Sequence, residues 1–240
     1  MKYLGSKNRI SKDIVPIIQS YIDNYDIKNY LEPFVGGANL IDKIKCENKY
    51  GSDVNKYLIA LLSKIQVDSD ITLHISEEEY NKVKANKENY DDWYIGLVGF
   101  CSTFSGKFFG GYARSNKKDG TPRDMSNEAI RNLIKQSKKL KDIKFNCCSY
   151  ENINKEIEGF LIYCDPPYRD TTKYNQNDFN YEDFYDWCIN MNKKNIVIIS
   201  EYYMPEDKFK CIWNKDIKIM IDSNREQGDN RTEKLFIVKE

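Results

Sequence analysis

Phe160-Leu161-Ile162-Tyr163-Cys164 runs directly into Asp165-Pro166-Pro167-Tyr168. An apolar run of this length reads as a strand buried on both faces, the kind that lies inside a parallel sheet. The two prolines end it at once, because neither carries the N–H that a ladder hydrogen bond needs. The tetrapeptide is therefore expected just beyond the carboxyl end of a central strand, where open α/β sheets bind their ligands. A stiff backbone presents one carboxylate, exposed carbonyls and one aromatic ring together. Taken alone, the same four residues also read as an ordinary strand-ending turn.

The flanking sequence supplies the rest of such a sheet. Ile10 to Tyr25 carries Ile14, Ile17, Ile18, Tyr21 and Ile22 at helical spacing, with Ser11 as a cap and Pro16 in the first turns. A short strand over 29–34 breaks at Gly36-Gly37, and a helix is expected over 38–46. A second strand, 49–52, ends at Asp53 and leads into a helix over 55–65. Strand, glycine turn, helix, strand, acid, helix is the opening of a doubly wound α/β fold. Residues 76–140 interrupt the alternation, with Ser76 and Ser126 as expected caps of two helices. It resumes with strands over 144–148 and 160–164, a helix over 182–191 and a strand over 195–200. Two last strands, 215–221 and 235–238, flank a polar loop and are expected to pair as a closing hairpin, since no helix fits between them. The expected architecture is α/β: a doubly wound, Rossmann-like sheet closed by a C-terminal hairpin. Residues 1–75 and 141–240 would form the main domain, and 76–140 a small inserted one.

Composition removes several function classes. The chain has 240 residues, 40% of them hydrophobic, enough to bury a real core. No stretch approaches the roughly 18 consecutive apolar residues of a membrane span, and Met1 to Ser11 is polar and basic with no apolar run behind it. A cytoplasmic protein is the expectation. Cys46, Cys101, Cys147, Cys148, Cys164, Cys188 and Cys211 are scattered and odd in number, without a C-x-x-C. This argues against a disulfide framework and a zinc site, and for reduced, mostly buried thiols. One histidine, His74, rules out a multi-histidine metal centre, and no nucleophile motif lies beside it, so a structural role is expected.

The formal net charge is zero, but it is unevenly placed. Residues 107–144 hold eleven Lys/Arg against four Asp/Glu, whereas 68–92 and 151–189 carry acidic excesses. A basic stretch between two acidic ones fits a polyanion contact confined to one part of the chain, or simply a solvated helix face.

The tetrapeptide suits one chemistry. An exocyclic amino group on a base is a poor nucleophile, because its lone pair is delocalised into the ring. A carboxylate and a carbonyl can each accept one of its N–H bonds, turning the nitrogen toward tetrahedral geometry and freeing the lone pair. An aromatic ring stacked on the base holds it in place. Neither metal nor histidine is needed. Upstream, Gly36 and Gly37 let the backbone turn tightly and come close to a ligand. Asp53, at a strand end, stands where an acid accepts hydrogen bonds from ribose hydroxyls, or caps the next helix.

With Glu32-Pro33-Phe34-Val35-Gly36-Gly37 and Lys2-Tyr3-Leu4-Gly5-Ser6-Lys7 placed before Asp165-Pro166-Pro167-Tyr168, the sequence resembles the Dam-like DNA adenine N6-methyltransferases. In the insertion it resembles phage-type members more than the bacterial GATC enzymes. The resemblance spans most of the chain and implies a Rossmann-like methyltransferase sheet with S-adenosylmethionine as cofactor. It places Tyr3, Lys7, Asp53 and Asp165 at the cofactor, with Lys7 answering the methionine carboxylate. Phe34 and Gly36 join that set, Phe34 packing on the cofactor or in the core. Asp165, Pro166 and Tyr168 become the catalytic residues, and Ser149 and Tyr150 are expected to border the adenine ring or to form a plain strand end.

Double-stranded DNA is the implied partner, and the target adenine must leave the stack to reach such a pocket. The segment 99–123 mixes glycine turns and aromatics with Lys107, Arg114, Lys117, Lys118 and Arg123, and is the candidate for recognition. Lys107, Arg114, Lys117 and Arg123 are assigned to DNA. Phe104, Phe108 and Phe109 are expected to pack rather than intercalate. The stretch 169–181, with Tyr174, Phe179 and Tyr181, is expected to close over the flipped base or to remain a surface loop. Arg225 and Arg231 could touch phosphates. No metal and no membrane are expected, with a monomer or weak dimer as the assembly and a cognate restriction enzyme either present or absent. An RNA adenine methyltransferase and a non-catalytic DNA-binding relative are the competing readings.

Overall fold

The computed structural model describes residues 1–169, 179–218 and 230–239. Helix α1 (Ser11–Asn24) precedes strands β1 (Asn29–Glu32) and β2 (Asn48–Asp53). Helices α2 (Lys56–Val67), α3 (Glu77–Ala85), α4 (Asp92–Cys101) and α5 (Met125–Ser137) separate β2 from β3 (Ile143–Cys147). Strand β4 (Phe160–Cys164), helix α6 (Tyr181–Asn192), and strands β5 (Ile196–Glu201), β6 (Phe209–Lys218) and β7 (Asn230–Val238) complete the order. The seven strands form one sheet in the order β3-β2-β1-β4-β5-β7-β6. Strands β1 to β5 are mutually parallel, and β7 runs antiparallel to both β5 and β6.

Side chains of β4 alternate between two apolar layers. Leu161 and Tyr163 join Ile14, Leu58 and Leu97 on one face, while Ile162 and Cys164 join Phe184, Trp187 and Met191 of α6 on the other. Burial on both faces is why this strand has no polar position. Its carboxyl end, and those of its neighbours β1 and β5, open on the same edge of the sheet.

Several local expectations are corrected. Residues 38–46 form turns, not a helix. Ala38 has a left-handed φ of 54°, and the Lys43 N–H closes a short turn on the Leu40 carbonyl. Leu40, Ile41 and Ile44 are nonetheless buried, so the segment packs without helical periodicity. Ser11 and Ser126 are not caps: Ser11 is the first residue of α1 and donates to the Asn8 carbonyl. Asp124 caps α5 through the Asn127 N–H, and Ser126 donates to that same carboxylate. Strands β6 and β7 begin earlier than expected, because they pair with each other from Phe209 with Val238 to Lys218 with Asn230, beyond the stretch of β7 that β5 reaches. The cysteines are free, but only Cys101, Cys164 and Cys188 are buried; Cys147 and Cys211 are exposed.

Helices α3, α4 and α5 pack onto the sheet's own layer. Tyr80, Val83, Leu97, Val98, Ile130 and Leu133 belong to the same core cluster as Ile14 and Leu58. Helices α2 and α4 meet closely at Gly96, where a Cβ would stand 2.2 Å from the Tyr57 carbonyl oxygen. Alanine in a helix ordinarily gains about 0.5–1 kcal/mol over glycine. Here the forced separation of two helices outweighs that gain. Gly96→Ala is expected to cost about 1–3 kcal/mol, read from the denaturation midpoint; a gain in stability would show that the helices stand further apart.

Candidate active site

The turn after β4 brings together residues from four parts of the chain. The Lys7 ammonium, from the short 3-10 turn before α1, lies 2.8 Å from Asp165 Oδ1 and 3.7 Å from Glu233 Oε1. It also sits over the Tyr168 ring, 4.4 Å from the centroid. The Tyr168 and Ser200 hydroxyls both donate to Glu233 Oε1, Ser200 at 2.7 Å, and the two hydroxyl oxygens lie 2.9 Å apart. Tyr202 meets the Tyr168 ring edge-on at 4.6 Å, and the Arg231 guanidinium lies over Tyr202. The Pro167 carbonyl accepts from the Tyr181 hydroxyl at 3.0 Å.

The charges shape one another. Burial raises the Asp165 carboxyl above its ordinary range and Glu233 adds to this, while the Lys7 ammonium opposes both. Burial pulls Lys7 down, but the two carboxylates more than offset it, and its net shift is upward. Burial pushes the Tyr168 hydroxyl far up, so it stays a neutral donor.

The second cluster lies where the parallel strands β1 and β2 end. The Asp53 carboxylate accepts the Gly36 N–H at 3.2 Å and the Asn55 N–H at 2.9 Å, while Asn55 caps α2. Asp53 thus braces the glycine turn rather than capping the helix itself, and burial raises its pKa against those backbone donors. Gly36 has a φ of 47°, and a Cβ there would stand 2.8 Å from the Tyr3 ring. The close neighbour that this glycine admits is therefore Tyr3. Phe34 packs with Tyr150, Phe179 and Phe184 at ring separations of 5.6, 6.0 and 5.7 Å. Tyr150 is buried in that cluster, and Ser149 caps the turn that carries it. The chemistry of this edge suits a nucleoside with a charged tail: a carboxylate acceptor at a strand end, aromatic surface and an ammonium.

The residues assigned to nucleic acid lie on exposed chain between α4 and α5. Bridges Thr103–Tyr112 and Asn116–Pro122 fold 103–122 back on itself. Lys107 and Lys117 are exposed. Arg114 is paired with Glu77 and Arg123 with Glu128, all partly exposed. Phe108 and Phe109 pack as expected, against Tyr57, Phe100 and Tyr80. Phe104 does not: it is 69% exposed, beside Ser105 and Gly106 with φ of 54° and 73°. His74 Nδ1 is 2.7 Å from Asp124, the α5 cap. Tyr174 and Arg225 lie outside the described residues. Among the described residues, no group of three or more His, Cys, Asp or Glu could hold a metal ion, and no helix is long and apolar enough to cross a membrane.

Sequence reasoning missed Glu32, Ser200, Glu201, Tyr202 and Glu233. Glu32 and Glu201 carried a signal: an acid ends each of two otherwise buried strands. Glu32 accepts from the Tyr30 hydroxyl at 2.8 Å, and Glu201 from the Tyr202 N–H at 2.7 Å. Burial raises both carboxyls to about 8. The folded chain holds these protons more tightly than the unfolded one. Their stabilisation is complete below about pH 4.5 and is lost as pH rises through 8. Glu32→Gln keeps an acceptor for Tyr30 and is expected to flatten the fall in melting temperature between about pH 5 and pH 8.5. An unchanged slope would exclude a burial-raised Glu32.

A family model described as D12 class N6 adenine-specific DNA methyltransferase matches residues 3–97 and 93–220. The type II methyltransferase M.FokI of Planomicrobium okeanokoites is 26% identical over 208 residues, covering 77% of this chain but only 31% of that protein. The chain thus spans under a third of that relative. The type II methyltransferase M.MjaIII of Methanocaldococcus jannaschii is 26% identical over 220 residues, 76% of this chain and 75% of that one. The DNA adenine methylase of Vibrio cholerae serotype O1 is 24% identical over 206 residues, 76% and 72% of the two chains. The matched residues take in the glycine turn, Asp53 and the turn after β4, and the chain belongs to the D12 class of N6 adenine-specific DNA methyltransferases.

Proposed function

We propose that the chain methylates the exocyclic amino group of an adenine flipped out of double-stranded DNA, at the turn formed by Asp165 to Tyr168. The observation that carries this reading is a largely buried carboxylate just after a central strand, beside an aromatic ring whose hydroxyl is tied down. Membership of the class makes S-adenosylmethionine the methyl donor, and it supplies an electrophilic methyl group on a sulfonium. Tyr3, Lys7, Phe34, Gly36, Asp53 and Asp165 are the residues proposed to hold it, with Asp53 accepting from the ribose hydroxyls.

Asp165 accepts one amino N–H. The Pro167 carbonyl is already engaged by Tyr181, so the Pro166 carbonyl is assigned the other. With both N–H bonds directed, the nitrogen lone pair turns out of the ring and toward the methyl. The Asp165 carboxylate then takes the proton that the alkylated nitrogen sheds, and its raised pKa favours this. Lys7 covers one face of the Tyr168 ring, and the adenine stacks on the other.

Residues 76–140 act as the recognition segment, with base and phosphate contacts concentrated in 104–123. Lys107 and Lys117 meet phosphates directly. Arg114 and Arg123 exchange Glu77 and Glu128 for DNA at little cost, since exposed ion pairs contribute only about 0–1 kcal/mol. Phe104 meets a base.

Three outcomes check this. Asp165→Ala is expected to abolish labelled-methyl transfer in a chain that still melts cooperatively, at a lower temperature because Lys7 loses its nearest anion; full activity would sink the mechanism. Double-stranded DNA is expected to outcompete single-stranded DNA and RNA as acceptor, and preferred transfer to RNA would favour the competing reading. Lys117→Ala is expected to lower the slope of log affinity against log salt by about 1, with binding of S-adenosylmethionine in calorimetry unchanged.

A further inference from the structure

We propose that Glu233 is a positioning residue of the methyl-transfer site: it fixes Tyr168 by its hydroxyl, and it becomes the counter-charge of Lys7 when Asp165 turns to the substrate amino group. The proposal rests on the reading of Asp165 given above.

Glu233 lies in β7 and is 2% exposed. Three groups from three parts of the chain converge on its Oε1: the Tyr168 hydroxyl, the Ser200 hydroxyl and the Lys7 ammonium. A tyrosine held at its hydroxyl cannot swing about its Cα–Cβ bond, so the position of the ring on which a base would stack is set from β7, while Lys7 and Tyr202 against the ring hold its tilt. Lys7, meanwhile, is bonded to the carboxylate that the substrate needs. If Asp165 turns toward an amino group, the 2.8 Å contact lengthens. A buried ammonium without an anion is strongly disfavoured. Glu233 already stands 3.7 Å away, and a shift of about 1 Å brings Lys7 to charge-assisted hydrogen-bond distance. Lys7 therefore stays charged and in place while Asp165 is released. The other titratable groups that face Lys7, Asp165 and Glu233 are Tyr168, Tyr163 in β4, Glu201 at the end of β5, Tyr202 after it, and Glu32 at the end of β1.

Glu233→Gln isolates the charge. The amide oxygen still accepts from Tyr168 and Ser200, and the remaining Lys7–Asp165 pair is neutral overall. Transfer rates and melting temperatures of the natural chain, Glu233→Gln, Glu233→Asp and Tyr168→Phe are compared from about pH 7 to pH 10.5. The expected Glu233→Gln result is a kcat lowered by about 10-fold with KM for DNA little changed. Its alkaline limb starts at lower pH, because Lys7 has lost one of the two anions that raise it. Tyr168→Phe, which removes the hydroxyl but not the charge, keeps the limb of the natural chain. A Glu233→Gln limb that coincides with the natural one, or an unchanged kcat, overturns the proposal. If Glu233→Gln does not melt cooperatively, Glu233→Asp decides: a lowered kcat with the natural limb supports the proposal, and a natural kcat or a displaced limb overturns it. Failure of the natural chain to methylate any nucleic acid would instead strike the reading of Asp165. The Lys7 pairing would then be read from stability alone. Lys7, raised by its partners, stabilises the fold at neutral pH and ceases to as pH climbs through its folded pKa, and in Glu233→Gln that loss begins earlier.

Discussion

The buried ion pair between Lys7 and Asp165 joins two ends of the architecture. One partner comes from the segment ahead of the first helix, the other from the turn after the central strand. Neither charge tolerates burial alone, so each specifies where the other must be. The N-terminal segment is thereby laid across the carboxyl edge of the sheet, where Tyr3 covers the glycine turn. The Lys2 backbone meets Gly106 there, with no room for a Cβ. A segment with few core residues of its own thus forms one wall of the site.

Around this pair the edge of the sheet is acidic. Glu32 and Glu201 end β1 and β5, Asp165 follows β4 and Glu233 lies within β7, on strands side by side in the order β1-β4-β5-β7. Burial divides them into different kinds of group. Glu32 and Glu201 are raised to about 8 and carry protons at neutral pH. Asp165 has Lys7 to oppose the same tendency. Residues of identical chemistry are thus set apart by depth and neighbours, Glu32 and Glu201 by burial and Asp165 by the ammonium beside it.

The sheet was legible from sequence because its strands are written in apolar runs that end abruptly. The 160–168 stretch names its own place, between two layers and at an edge. Lys7, Asp165 and Tyr168 were legible as a set through their motifs, and the structure brings them together. Glu233 was not. It lies where a polar stretch becomes an apolar strand, and nothing local distinguishes a buried acid there from a solvated one. Its role depends on pairing with β5, which puts Ser200 beside it. The expected helix over 38–46 failed for a related reason. Its apolar spacing is real, but Asn39 is held by the Met1 carbonyl and Ser6 hydroxyl, contacts that no periodicity encodes. Phe104 shows the reverse: an apolar residue that composition assigns to the core is held in solvent by the backbone of a tight turn.

The exposed segment between α4 and α5 is pinned at both feet. Ala113 donates to the Ser102 carbonyl and Phe109 to that of Gly99, while the Gly111 N–H and the Tyr112 hydroxyl engage Tyr80 and Ile75. Arg123 closes back on Ser115, and Asp124 starts α5. Further along, the buried Gln136 amide reaches the carbonyls of Gly37 and Ala38 in the glycine turn. Between those feet, residues 114–123 are exposed, and Arg114 and Arg123 at the two ends reach back to Glu77 and Glu128. The chain is therefore built as a socket with a replaceable tip. A change of length or sequence across 114–123 would leave the core that α2 to α5 share with the sheet in place.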